Sequence, residues 1–65
     1  MATKTALRLG QTFEITIHGL GHDGQGVGRF EELVVFVPGA LPGERVLARL
    51  RRQAKRHLEA DLVGV

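Results

Sequence analysis

Sixty-five residues make one small domain, too short for a two-domain enzyme, and the absence of cysteine excludes disulfides and thiolate metal sites as staples. A hydrophobic fraction of 43% with 25% charged residues is the composition of a folded chain rather than a disordered one. The net charge is only +2, but it is unevenly placed: residues 1–43 hold three basic groups and four acids, for −1, whereas residues 44–65 hold six and three, for +3. Seven of the nine cations are arginine, whose planar donor fork suits phosphate. No apolar run reaches membrane-spanning length. The start of the chain also lacks a secretory core, because Lys4 and Arg8 flank Ala6 and Leu7. The expected compartment is therefore the cytoplasm.

Residues 1–8 read as an N-terminal arm and residues 9–65 as the domain. From Thr12 the alternation of Phe13, Ile15 and Ile17 with polar residues predicts a half-buried strand. Gly19, Gly21, Gly24, Gly26 and Gly28 then forbid a helix and predict a glycine-rich loop entering a short strand, Val27 to Phe30. Glu31 and Glu32 form the tip of a tight turn, and Leu33 to Val37 is an apolar, β-branched strand assigned to the centre of the sheet. Pro38-Gly39 and Pro42-Gly43 each carry the pairing of a type II turn.

Residues 44–65 fit two periods. As a helix, Leu47, Leu50, Ala54 and Leu58 share one face and Arg45, Arg49, Arg52 and Arg56 the other, which propensity favours. As two strands, Val46, Ala48 and Leu50 face inward, a turn spans Arg52 to Arg56, and Leu58, Ala60 and Leu62 alternate with His57, Glu59 and Asp61. Periodicity leaves both open.

Three motifs invite a chemical reading. Gly19-Leu20-Gly21-His22-Asp23-Gly24 satisfies a dinucleotide-binding spacing, but no helix follows it, so its glycines are assigned to turns. His18 and His22 stand at a spacing that holds metal only on a helix, which the glycines preclude; no metal and no cofactor are expected. Asp23 and Glu59 have no identifiable acid–base partner and read as surface charges, so the isolated chain is not expected to be an enzyme. The strongest feature is the run Arg45, Arg49, Arg51, Arg52, Lys55 and Arg56, twelve positions without an acid, which concentrates positive potential suited to phosphates. Phe13 belongs with Ile15 and Ile17. With a core to fill and only three aromatics, Phe30 and Phe36 are assigned to the interior in preference to base stacking.

The segments HGLGHDGQGVGR (18–29), VVFVPGALPGERV (34–46) and the closing ADLVGV together resemble the TRAM domain family, over about residues 9–65. Within that family it is similar to the N-terminal TRAM domain of 23S rRNA uracil-5-methyltransferases. The resemblance implies an all-β fold, a small five-stranded antiparallel OB-like barrel, and so selects strands for residues 44–65. It also implies binding of rRNA or tRNA and its delivery to a separate methyltransferase catalytic domain in a parent chain. The RNA-binding residues expected on this basis are Arg29, Arg45, Arg49, Arg51, Arg52, Lys55, Arg56 and His57, with His22 and Gln25 in the glycine loop. Family members often carry a lysine-rich turn ending in an aromatic. Here the turn is Arg51-Arg52-Gln53-Ala54-Lys55-Arg56, followed by His57 and Leu58. A monomer without membrane contact is expected. The rival readings are a protein or intramolecular docking domain using the Leu33 to Val37 edge or the 38–43 loop, and, on the helical reading, a basic amphipathic helix for a membrane surface or an acidic partner.

Overall fold

The computed structural model describes residues 7–65; most of the arm assigned to residues 1–8 lies outside the described residues. The described chain contains five strands and no helix: β1 (Thr12–Leu20), β2 (Gly26–Phe30), β3 (Leu33–Val37), β4 (Arg45–Gln53) and β5 (His57–Gly64). They close into a barrel in the order β1-β2-β3-β5-β4, with β4 returning to β1. Four seams are antiparallel, and the β3–β5 seam that completes the closure is parallel. Residues 44–65 are thus two strands and a turn: inward packing of Val46, Ala48, Leu50, Leu58 and Ala60, each at most 1% exposed, overrides the helical propensity of the segment.

Alternation sets the interior. Phe13, Ile15 and Ile17 of β1, Leu33, Val35 and Val37 of β3, and the inward residues of β4 and β5 form one core, with Phe30 and Leu62 packed at its margin. Phe30 meets Phe13 edge to face, with centroids 5.3 Å apart. Leu7, which the sequence pattern placed in the arm, is a core residue at 7% exposure, whereas Leu9 is 68% exposed. Gly28 permits the close approach of β1 and β2, because a Cβ there would stand 2.6 Å from the Thr16 carbonyl oxygen and 2.7 Å from Ile15 Cδ1.

The two Pro-Gly turns form as expected. Ala40 N–H donates to Val37 C=O at 3.2 Å and Glu44 N–H to Leu41 C=O at 3.1 Å, with Gly39 and Gly43 at φ 90° and 88°. The Glu31-Glu32 turn joins β2 to β3, Glu31 adopting φ 57°.

Two expectations about β3 are corrected. Since β2 and β5 flank it on either side within the closed barrel, it offers no free edge to a docking partner. Phe36 is not in the core: with Leu33, Val35 and Val37 turned inward, the two-residue period sends Phe36 to the outer face, where it is half-buried.

Candidate nucleic-acid interface

The outer face of β4 carries Arg45, Leu47, Arg49 and Arg51, all exposed, because their alternate partners fill the core. At its end the chain turns through residues 54–56, closed by the Ala54 N–H donating to His57 C=O at 2.9 Å, and Lys55 and Arg56 stand exposed at the tip. Across β2, β3 and β5 the register aligns Arg29 with Val34 and Val34 with His57, so one outward row joins Arg29 to the base of the basic turn. The next row aligns Val27, Phe36 and Glu59.

The linear run of cations without acids does not survive folding as such. Glu14 on β1 meets Arg45 at 2.8 Å. Glu59 on β5 receives Arg51 at 3.3 Å, Arg52 at 3.7 Å and His57 Nε2 at 3.1 Å, and Asp61 takes Arg51 Nε at 3.2 Å. The hydrogen bond from His57 is the largest influence on the Glu59 carboxyl; burial opposes it, but with the positive charges of Arg52 and Arg51 added the carboxyl is held below its ordinary range. The expected site residues therefore divide. Arg45, Arg51, Arg52 and His57 have acidic partners, while Arg29, Arg49, Lys55 and Arg56 have none among the described residues. Arg49 has no acidic partner among the described residues although it lies opposite Asp61 in register; Asp61 holds Arg51.

Beside this cluster lies an open cleft of about 300 Å³. It is lined by Phe36 and His57, edge to face with centroids 5.3 Å apart and planes at 75°, together with Pro38, Arg51 and Glu59. Asp23 and Gln25 of the β1–β2 loop form the remaining wall. Gln25 is fixed there: its Oε1 accepts from the Asp23 backbone N–H at 2.9 Å, and its side chain occupies the space that a Cβ on Gly21 would enter at 2.9 Å. His22 is exposed on the same loop, outside the cleft lining. The sequence reading missed Phe36 and Glu59 as site residues. The parity of β3 was the available signal for Phe36, whereas Glu59 acquires its partners only through the β4–β5 register.

Among the described residues no group of three or more histidines, aspartates and glutamates is placed to hold a metal ion, and no helix is long and apolar enough to cross a membrane.

Fold and surface together define a class, a small closed OB-like β-barrel with a basic turn at its rim. Residues 6–63 match the family model of the TRAM domain, and the chain belongs to the TRAM domain family. An uncharacterised RNA methyltransferase of Bacillus cereus is 49% identical over 62 residues, 95% of this chain and 14% of that protein. The 23S rRNA (uracil(1939)-C(5))-methyltransferase RlmD of Alkalilimnicola ehrlichii is 46% identical over 55 residues, 85% of this chain and 12% of that protein. A conserved protein of Methanococcus maripaludis with a known solution structure has the same fold, with a TM-score of 0.84 at 28% identity, covering 92% of this chain and 86% of that one. The chain thus spans 12% to 14% of the length of these two RNA methyltransferase relatives.

Proposed function

We propose that this barrel is an RNA-binding module that holds structured rRNA or tRNA for an RNA-modifying catalytic domain, such as an rRNA uracil-5-methyltransferase, in a parent chain. The observation that carries the reading is the group of cations unpaired among the described residues, Arg29, Arg49, Lys55 and Arg56, on a closed barrel whose relatives are named as RNA methyltransferases. These side chains neutralise phosphates and position the RNA without reading its sequence. Arg45, Arg51, Arg52 and His57 contribute less, because RNA must compete with Glu14, Glu59 and Asp61 for them. His22 and Gln25 border the same surface from the glycine loop. The module acts as a monomer, with no cofactor and no catalysis of its own.

Fluorescence anisotropy with a labelled ribosomal RNA hairpin at low salt tests this. Replacing Arg49, Lys55 and Arg56 together by Gln weakens binding on the order of tenfold or more, with an unchanged strand-type circular dichroism spectrum. A triple variant that binds as tightly as the parent contradicts the reading.

A docking role is favoured by a separate observation: Leu47 and Val63 are 38% and 47% exposed near the β4–β5 end where Leu47 pairs with Gly64. Under that reading Leu47→Lys abolishes association with a separately produced catalytic domain and leaves RNA affinity unreduced.

A further inference from the structure

We infer that the cleft between the β1–β2 loop and the Phe36–His57 pair is a receptor for one unpaired nucleobase of the bound RNA. The inference rests on the RNA-binding reading above and adds to it a recognition site distinct from the phosphate-binding cations.

The size of the cleft, about 300 Å³, is at the lower end for small-ligand sites and fits a single planar ring system better than a folded peptide. Part of its lining is aromatic. In the edge-to-face arrangement of Phe36 and His57, the edge-on ring keeps both of its faces free of its neighbour. Each base carries a π-face, so such a lining accepts bases of any identity by stacking.

The wall is polar and already ordered. Gly21 N–H donates to Gln25 C=O at 2.7 Å and Gly24 N–H to Gly21 C=O at 3.0 Å, which closes the loop on itself. Because Gln25 Oε1 is engaged by the Asp23 backbone N–H, the amide orientation follows from that bond, and its NH2 group is left with no partner among the described residues. The Asp23 carboxylate beside it is likewise without a partner among the described residues. A donor next to an acceptor complements the adjoining carbonyl and ring N–H of uracil or guanine, or the ring nitrogen and amino group of adenine. In a duplex those edges are already paired, so the cleft selects unpaired bases.

The electrostatics favour a base over a phosphate at this spot. Two carboxylates line the cleft, and one of them, Glu59, is neutralised by Arg51 and Arg52. A phosphate entering would be repelled by the remaining Asp23 charge, whereas a neutral base would not. The phosphates flanking the base are left to Lys55 and Arg56 at the turn following β4.

The test is a nuclear magnetic resonance titration of the 65-residue chain with hexauridylate and, in parallel, with an abasic ribose-phosphate hexamer. The Gln25 side-chain amide and the His57 ring shift with hexauridylate and stay in place with the abasic strand, while the Arg49 and Arg56 amides shift with both. Phe36→Leu, which keeps apolar volume and removes the ring, weakens hexauridylate binding on the order of tenfold and leaves the abasic affinity unchanged. Gln25→Met, which keeps the chain length and removes the donor, acts in the same direction. If the cation amides respond to both strands and the cleft resonances respond to neither, or to both equally, the cleft inference is overturned and the RNA reading stands. If no amide responds to either strand, the RNA reading itself fails and the cleft inference falls with it.

Discussion

Arg51 and Arg52 are close neighbours in sequence of Lys55 and Arg56, yet the fold gives the two pairs different surroundings. The first pair leaves β4 beside β5, where Glu59 and Asp61 lie within 3.2 to 3.7 Å of their guanidinium groups. The second pair sits at the tip of the turn, beyond the reach of either acid. A cation's availability to phosphate is therefore set by what the adjacent strand carries and not by the charge density of its own segment. Arg45 and Arg49 repeat the contrast on β4: Glu14 of β1 engages the former, while the latter is free among the described residues.

The most drastic way to break this comparison is to remove the frame beneath both regions. Gly28→Val drives a branched side chain into the Thr16 carbonyl and Ile15, and overpacking against backbone destabilises by about 3 kcal/mol or more. Urea denaturation then shows a lowered midpoint or no folded baseline, and both cation groups lose RNA binding together.

A sharper intervention is Glu59→Gln, which releases Arg52 and His57 from the carboxylate and leaves Arg51 to Asp61 alone. RNA affinity at low salt rises by anisotropy, narrowing the difference between the paired and unpaired cations. The same variant tests the pH dependence. The folded-state pKa of Glu59 is lowered, first by the His57 hydrogen bond and then by the arginines. Its contribution to stability is therefore full above the ordinary glutamate range near pH 4 and is lost as pH falls through the depressed folded value. Denaturation midpoints of the parent fall along that acid limb, and those of Glu59→Gln fall less.

A smaller effect separates single cations. Arg56→Gln reduces RNA affinity more than Arg52→Gln, and it lowers the magnitude of the salt slope by about 0.7, the contribution of one phosphate in a single strand. Equal losses would mean that Glu59 does not hold Arg52 back. The smallest change is expected from Glu14→Gln. It frees Arg45 at an exposed surface pair, shifts stability by less than about 0.5 kcal/mol and raises low-salt affinity slightly.

Much of the barrel was legible in the residues. The alternation of Phe13, Ile15 and Ile17, the tip at Glu31-Glu32 and the two Pro-Gly turns lie where period and turn chemistry place them. Residues 44–65 were not settled by their own pattern, because Leu, Arg and Ala satisfy a helical stripe as well as a two-residue alternation. The resemblance to a family was needed to choose, and packing of Val46, Ala48 and Leu50 against β1 and β5 is the physical reason for the outcome. The site was less legible. Its cations were found as a segment, but Glu14, Glu59 and Asp61 meet them only through cross-strand register, a long-range relation that no local window contains. Phe36 was assigned to the core by its chemistry, although its position between Val35 and Val37 already pointed it outward.

The central claim, that unpaired cations on this barrel bind RNA through its phosphates, is tested most directly by the salt dependence of affinity for a single-stranded RNA. With Arg29, Arg49, Lys55 and Arg56 each neutralising one phosphate, log K against log salt concentration has a slope of about −3. A slope near zero, or no binding at low salt, would contradict the account.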